Sequence, residues 1–178
     1  RGVPVTLLGH YYKDVPSICV NNYEGGYKAT SYLINLGYKK ISIITGPEKR
    51  NDSEERFRGY KKALKDNDIL IRDNYIMEGN FSYESGYNQM KSLLSLKKLP
   101  QAVFACDDLM ALGAISAANE LNFKVPEDIS IIGFDNVIQA EYSTPKLTTV
   151  AQPRDVMGRQ AVKLMIELIE KNKVEEKQ

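Results

Sequence analysis

The 178-residue sequence predicts an α/β fold in which helices cover both faces of a parallel sheet, the doubly wound arrangement of Rossmann-like domains. Four short apolar runs recur along the chain, and segments with helical periodicity separate them. The runs are ISIIT (41–45), YIM (75–77), AVFA (102–105) and ISII (129–132). Parallel strands read as continuous apolar runs because crossover helices bury both of their faces. We therefore expect these runs to form one parallel sheet.

Three crossover helices are predicted between these strands. The first two carry apolar side chains at helical spacing, namely Phe57, Tyr60 and Leu64 in one and Tyr83, Tyr87, Met90 and Leu94 in the other. The third follows AVFA as the alanine- and leucine-rich run DDLMALGAISAANEL, in which Asp108 is the expected N-cap. Since one residue caps a helix, the neighbouring Asp107 is left freer to bind a ligand.

The flanks of this alternation predict further elements. Residues 3–8 and 18–20 read as strands, and residues 24–36 read as a helix with one apolar side. The run LTTV (147–150) predicts another strand. A final helix is expected to begin near Pro153, because proline suits the first turn of a helix.

The composition excludes several classes of protein. The 24 basic and 23 acidic residues are well mixed and give a net charge of +1, so there is no basic stripe for nucleic acid or an anionic membrane. Cys19 and Cys106 lack the spacing of a disulfide framework or a zinc site, which favours a reduced, cytoplasmic setting. No apolar stretch approaches the roughly 18 residues of a membrane span. We expect no metal, no cofactor and no DNA binding through this part of the chain.

Polar and aromatic side chains follow the predicted strands at the point where each strand ends. Arg56 stands in the opening turn of the helix after the first strand, and Phe81 follows the second strand. Asp107 follows the third strand, and Asp135 follows the fourth. The carboxyl ends of parallel strands share one edge of a sheet, and ligands bind outside that edge. Carboxylate acceptors, a guanidinium donor and an aromatic face together favour a polyhydroxyl ligand.

Each of these residues also has an ordinary structural explanation. Asp135 could form an Asx turn with Asn136. Arg56 could be a solvated charge at a helix start, and Phe81 could be a core residue. Gly133 is expected to give the chain room to turn before Asp135. Position alone does not decide between these alternatives.

Several longer strings resemble a known family. VPEDISIIGFDN, TPKLTTVAQP and AVFACDDLMALGAISAANEL strongly resemble the effector-binding core of the lactose-repressor (LacI/GalR) family of bacterial transcription regulators. That core is similar in fold to periplasmic sugar-binding proteins, with two Rossmann-like lobes, a three-strand hinge and the effector between the lobes. The resemblance implies one complete C-terminal lobe (39–149) and part of an N-terminal lobe (1–38 and 150–178). The helix-turn-helix headpiece of the family would precede Arg1, where the chain opens without a methionine.

The resemblance also implies roles for individual residues. Arg56 matches the arginine that grips effector oxygens, and Phe81 matches a stacking aromatic residue. Asp135 matches the carboxylate that binds ligand hydroxyls or ring nitrogens, and Gln152 matches a polar residue near the hinge. Asp107 departs from the pattern, because sugar-responsive members often carry asparagine there. An additional carboxylate favours hydroxyl donors or a cationic group over a phosphorylated effector.

Further contacts follow from the same resemblance. Arg50 and Asp52 occupy positions where purine-responsive members contact ligand, and His10 lies where the upper lobe offers an aromatic or polar residue. A homodimer is implied, and the apolar candidates for its interface, which could also cover the sheet edge, are Val137, Ile138 and Tyr142. Effector binding would act allosterically, because it changes lobe closure and thereby the spacing of two headpieces that bind operator DNA.

Two other functions are open at this point. A sugar receptor for transport would share the lobes but carry a secretion signal, so the N-terminus of the intact protein distinguishes it from a regulator. An α/β enzyme could use Asp107, Asp108 or Asp135 as acid, base or magnesium ligand. The sequence has no nucleophile elbow, P-loop, GxGxxG motif or paired histidine, which favours a protein that is not an enzyme.

Overall fold

The computed structural model describes residues 3–175 and divides into two compact units. The large unit is Asn22–Ala151, and the small unit combines Arg1–Asn21 with Gln152–Gln178. In chain order the elements are β1 (Leu7–Leu8), β2 (Ser17–Ile18), α1 (Asn22–Asn35), β3 (Ile41–Thr45), α2 (Asn51–Asp66), β4 (Ile76–Glu78), α3 (Tyr83–Leu94), β5 (Ala102–Ala105), α4 (Asp108–Glu120), β6 (Ser130–Asp135), α5 (Ile138–Tyr142), β7 (Thr148–Ala151) and α6 (Arg154–Glu175), with a 3-10 turn at Asp73–Tyr75 before β4.

The large unit is built on a five-stranded parallel sheet with the strand order β4-β3-β5-β6-β7. Two helix pairs, α1 with α2 and α3 with α4, cover this sheet. In β6 the ring of Phe134 lies against Gly25 of α1, whereas Gly133 lies against Ala111 of α4. Because successive strand residues point to opposite faces, the two helix pairs lie on opposite sides of the sheet. The predicted doubly wound α/β fold is confirmed.

Glycines allow both helix pairs to pack backbone against backbone. A Cβ atom on Gly59 of α2 would lie 2.2 Å from the Tyr23 carbonyl oxygen of α1. A Cβ atom on Gly113 of α4 would lie 2.0 Å from the Tyr83 carbonyl oxygen of α3. Any larger residue at either position would therefore push the paired helices apart.

The small unit contains two short parallel strands and one long helix. Leu7 of β1 pairs with Ser17 of β2, and both strands contact α6. The helix α6 begins directly after Pro153, where the sequence predicted a helix start, and it buries Met157. Neither α6 nor any other helix within residues 3–175 is sufficiently long and apolar to cross a membrane.

The strand β6 extends further than the sequence predicted. It runs through Gly133 to Asp135, so Gly133 is part of the strand and not of the turn. A Cβ atom at Gly133 would lie 2.2 Å from Asp108 Oδ1. The glycine therefore makes room for the carboxylate of Asp108 rather than for a change of chain direction.

The helix α1 packs with the large unit, whereas the resemblance implied that residues 1–38 belong to the N-terminal lobe. It lies along α2 and also contacts the strands β5, β6 and β7. Helical periodicity identified this helix but gave no information on which sheet it covers. The large unit begins at Asn22, and the lobe boundaries implied at residues 38–39 and 149–150 stay a prediction.

Replacing Gly59 by alanine is expected to destabilise the large unit. The added methyl group would overlap the α1 backbone, and overpacking of this kind typically costs about 1–3 kcal/mol. Urea unfolding followed by circular dichroism measures the change. Gly158→Ala is the matched control, because no heavy atom lies within 4 Å of that Cβ position and a helix tolerates alanine well. A Gly59 variant as stable as the wild type would contradict the close helix packing.

Candidate ligand-binding site

Arg56 lies at the centre of the site, in the second turn of α2, and its side chain is only 5% exposed. Its Nε donates to Asn22 Oδ1 at 2.9 Å, and its Nη1 donates to the Cys106 carbonyl oxygen. The guanidinium carbon lies 3.7 Å from the centre of the Phe134 ring. Its Nη2 lies 3.6 Å from Asp135 Oδ1. Arg56 is thus a buried group with several hydrogen-bond and charge partners, and not a solvated charge at a helix start.

Phe81 lies in the loop between β4 and α3 and is half-buried. A Cβ atom on Gly46 would lie 2.0 Å from the Phe81 ring, so the ring covers the backbone at the end of β3. The guanidinium carbon of Arg50 lies 4.8 Å from the ring centre, within the range of a cation–π interaction. Asp52 binds Arg50 through both carboxylate oxygens, at 3.1 Å from Nε and 2.6 Å from Nη2. These three side chains form one cluster.

The carboxylate of Asp52 is held in its charged form. Burial by itself raises the pKa of Asp52, but the hydrogen bond and the charge of Arg50 outweigh burial. The charge of Arg56 and the Ser53 N–H act in the same direction as Arg50, so the pKa lies below its ordinary value. Arg56 therefore links this cluster electrostatically to the centre of the site.

Asp107 is the N-cap of α4, and the prediction that Asp108 fills this role is wrong. Asp107 Oδ1 accepts a hydrogen bond of 2.8 Å from the Met110 N–H. Asp108 is already the first residue of the helix. A helical sequence pattern defines the start of a helix only to within one or two residues. The pattern therefore cannot decide which of two adjacent aspartates is the N-cap. Capping uses Oδ1 of Asp107, so Oδ2 can accept a hydrogen bond from a ligand while the cap stays in place.

The carboxyl group of Asp107 changes its charge closer to neutral pH than an ordinary aspartate. Its pKa is raised to about 6, chiefly by burial and also by the charges of Asp135 and Asp108. The Met110 N–H and the charge of Arg56 oppose this increase. Asp107 and Asp135 are therefore close enough for each charge to affect the other.

Three residues of the site hold backbone conformations that side chains other than glycine rarely adopt. The angle φ is +65° at Phe81, +115° at Asp135 and +54° at Asn136. Such conformations cost roughly 1–3 kcal/mol each and persist where the surrounding contacts fix them, as at ligand sites. Two of these residues, Phe81 and Asp135, are ones that the sequence selected as candidates for ligand binding, and Asn136 directly follows Asp135.

The large unit brings most of the predicted binding residues to one edge of its sheet. The contacts described above connect Arg50, Asp52, Arg56, Phe81, Asp107 and Asp135. Gln152 and His10 belong to the small unit, so their approach to a ligand stays a prediction. Among residues 3–175, no group of three or more His, Cys, Asp or Glu side chains is arranged to hold a metal ion.

The predicted interface residues lie on or directly before α5. Ile138 is 57% exposed and Tyr142 is 78% exposed, whereas Val137 is half-buried. Ala140 is the residue of α5 that turns inward. Ile138 and Tyr142 therefore present apolar surface to solvent, and their role in an interface stays a prediction.

Sequence reasoning missed two residues that support the site. Asn22 orients Arg56 through a hydrogen bond between residues 34 positions apart, and no local pattern indicates such a contact. Asp108 is fully buried and binds Thr149 Oγ1 at 2.5 Å. The glycine that faces Asp108 from β6, Gly133, was the one available signal, because glycine inside a strand indicates a close approach.

Known proteins with the same pattern identify the family. Residues 30–178 match the family described as periplasmic binding protein-like domain. The chain belongs to this family. The HTH-type transcriptional repressor PurR of Pectobacterium atrosepticum is 42% identical over 172 residues, which cover 95% of this chain and 50% of the repressor.

Solved structures agree with this assignment to the periplasmic binding protein-like family. A complex of the transcriptional regulator CelR with cellobiose has a TM-score of 0.87 at 32% identity, covering 94% of this chain and 52% of that chain. A sugar-binding transcriptional regulator of the LacI family from Escherichia coli, complexed with phosphate, has a TM-score of 0.85 at 32% identity, covering 92% of this chain and 59% of that chain. The predicted resemblance to the effector-binding core of LacI-type regulators is confirmed.

The chain spans about half the length of the curated repressors that it matches. These relatives are named as transcriptional repressors or regulators and not as enzymes.

Asp107→Asn is expected to remove a pH-dependent loss of stability. Asparagine is an equally good N-cap, so the variant keeps an acceptor for the Met110 N–H and lacks the titrating group. Folding raises the pKa of Asp107 from its ordinary 3.8 to about 6. The neutral carboxyl is favoured in the folded state, so the wild type loses stability relative to the variant as the pH rises from about 4 to about 7.

The relative loss is at most about 3 kcal/mol, since a tenfold change in an ionisation constant corresponds to about 1.4 kcal/mol. Urea unfolding of both proteins at the two ends of this pH range measures it. The raised pKa would be contradicted if the wild type and the variant differed in their free energy of unfolding by the same amount at both pH values.

Proposed function

We propose that this chain is the effector-binding and dimerisation core of a bacterial LacI-type transcriptional regulator. Its effector is a small polyhydroxyl molecule, such as a sugar or a nucleoside, or a purine base, and it binds at the sheet edge that carries Arg56, Phe81 and Asp135. The observation that carries the proposal is the 3.6 Å approach of Arg56 Nη2 to Asp135 Oδ1 at this edge. In this function, operator DNA is bound by a helix-turn-helix headpiece outside the chain.

The chemistry of the site supports a neutral ligand that is rich in donors. Asp107 and Asp135 offer carboxylate oxygens to hydroxyl or N–H groups, and Arg56 offers N–H groups to ligand oxygens. Asp52 is already paired with Arg50, which lies over the Phe81 ring. Carboxylates beside the central arginine oppose a phosphorylated effector, because they repel its charge.

In the proposed mechanism residues 39–149 form the C-terminal lobe, and residues 1–38 and 150–178 form part of the N-terminal lobe. Gln152 and His10 are the further effector-binding residues of this proposal. An effector that binds one arrangement of the lobes about tenfold more tightly shifts their equilibrium by about 1.4 kcal/mol. This shift changes the spacing of two headpieces in a homodimer and so controls DNA binding in the cytoplasm.

The proposed dimer contact is the exposed surface of α5. Ile138 and Tyr142 present large apolar side chains to solvent, and Val137 lies beside them. Exposed apolar groups that lie together are typical of protein interfaces. A transport receptor is less well supported than a regulator, because the matched relatives are named as transcriptional repressors and regulators.

The ligand proposal predicts binding of at least one compound from a small panel in isothermal titration calorimetry. The panel consists of cellobiose, ribose, guanosine and guanine, and it is tested on the chain and on the intact protein. Asp135→Asn is expected to weaken binding about 10- to 100-fold, because a hydrogen bond to a charged group contributes roughly 1.5–3 kcal/mol. Arg50→Ala is expected to weaken binding as well, since it uncovers Phe81 and releases Asp52.

Arg58→Ala is the matched control for Arg50→Ala. Arg58 also pairs with an acidic neighbour, Glu55, but its side chain is 56% exposed on α2. This variant should bind the panel compound as the wild type does. Wild-type affinity in both the Asp135 and the Arg50 variants would refute the site, and a panel without any bound compound would refute the ligand class.

The dimer proposal predicts that Tyr142→Glu shifts the protein from dimer to monomer. The substitution places a charge in an apolar contact, where burial of an unpaired charge is strongly unfavourable. Sedimentation velocity over a range of protein concentrations measures the dissociation constant. Tyr32→Glu is the matched control, because Tyr32 is also exposed but lies on α1. A monomeric wild type, or a Tyr142 variant with unchanged dissociation, would contradict the proposal.

A further inference from the structure

Asp108 is a fully buried carboxylate whose hydrogen bonds reach β7, the strand at one edge of the sheet. Its Oδ1 accepts from Thr149 Oγ1 at 2.5 Å, and its Oδ2 accepts from the Val137 N–H at 2.8 Å. The Phe134 N–H also donates to it. Burial of a carboxylate is costly unless hydrogen bonds replace its water, and these donors meet that requirement.

The hydroxyl of Thr149 extends this network by one residue. It donates to Asp108 and accepts from the Asn136 N–H at 3.2 Å. Asp108 thus accepts directly from the N–H groups of Phe134 and Val137, and Thr149 links it to the N–H group of Asn136. These three N–H groups lie on either side of Asp135 in the chain.

The backbone between these donors is strained. Asp135 has a φ of +115° and Asn136 a φ of +54°, conformations that need support from their surroundings. The strand also makes room for the supporting carboxylate, since a Cβ atom on Gly133 would lie 2.2 Å from Asp108 Oδ1. The hydrogen bonds and the glycine are independent observations that point to the same contact.

We infer that Asp108 is a positioning residue, which fixes the strained turn and so aims the Asp135 carboxylate at Arg56 and the ligand. The effect on the ligand rests on the proposed function, whereas the support of the turn does not. The same network reaches β7 through Thr149, close to the point where the chain enters the small unit at Gln152. Asp108 therefore ties the ligand edge to the strand that leads into the other unit.

Asp108→Asn tests this role. Asparagine has the size of aspartate but only one acceptor oxygen, so its amide nitrogen would face one of the present donors. Affinity for whichever compound of cellobiose, ribose, guanosine and guanine the wild type binds is expected to fall about tenfold, equivalent to about 1.4 kcal/mol. Thr149→Val should cause a similar loss, and Thr149→Ser, which keeps the hydroxyl, should restore wild-type affinity.

A double-mutant cycle separates positioning from a general structural role. If Asp108 acts through Asp135, the Asp108→Asn/Asp135→Asn variant binds no more weakly than Asp135→Asn alone. Additive losses would overturn the inference, and so would an Asp108→Asn variant that binds as the wild type does.

Hydrogen exchange of the ligand-free protein gives a second measurement. Asp108→Asn should increase amide exchange at Asn136 and Val137 by about tenfold or more while β3 stays protected, because only the turn loses its support. Unchanged exchange at these amides would overturn the inference, whether or not a panel compound binds. The absence of binding by every panel compound would refute the proposed function instead. If Asp108→Asn does not fold, the Thr149→Val and Thr149→Ser pair decides by the same measurement.

Discussion

A buried guanidinium connects the elements of the large unit at the carboxyl ends of its strands. Arg56 reaches from α2 to α1 through Asn22, to the end of β5 through the Cys106 carbonyl, and to β6 through the Phe134 ring. Taking a cation out of water is unfavourable unless hydrogen bonds and neighbouring charges replace the lost hydration, and an aromatic face adds to that replacement. The positions of these partners are therefore constrained by Arg56 as strongly as the position of Arg56 is constrained by them.

Close helix packing makes these contacts possible. A Cβ atom on Gly26 of α1 would lie 2.2 Å from the Arg56 carbonyl oxygen, so the two helices touch at the residue that carries the guanidinium. This approach brings Asn22 within hydrogen-bond distance of Arg56 Nε. The packing of the interior and the geometry of the site thus share one constraint. A side chain that is already immobilised loses little conformational entropy when a ligand binds, which favours affinity.

The sequence predicted those features whose signal is local. The runs at 41–45 and 102–105 form β3 and β5, because a central parallel strand needs little more than continuous apolar side chains. The residues after the strands were identified because parallel topology by itself collects them at one edge. Contacts between distant segments left no such signal. The periodicity of α1 fits either neighbouring sheet, and nothing near Asn22 in the sequence indicates its bond to Arg56.

The two aspartates at the start of α4 show how one residue of register separates two roles. Asp107 has the extended backbone of an N-cap, with φ −150° and ψ 169°, whereas Asp108 is the first helical residue, so the two side chains make different contacts. Asp107 caps the helix beside Asp135, whereas Asp108 lies against Gly133 and is satisfied by donors of the protein itself. Burial raises the pKa of both carboxyl groups. A ligand that donates to Asp107 stabilises its charged form and lowers its pKa, so binding near neutral pH releases protons. The carboxyl group that would respond to a ligand in the proposed function is thereby separated from the one that we infer supports the turn.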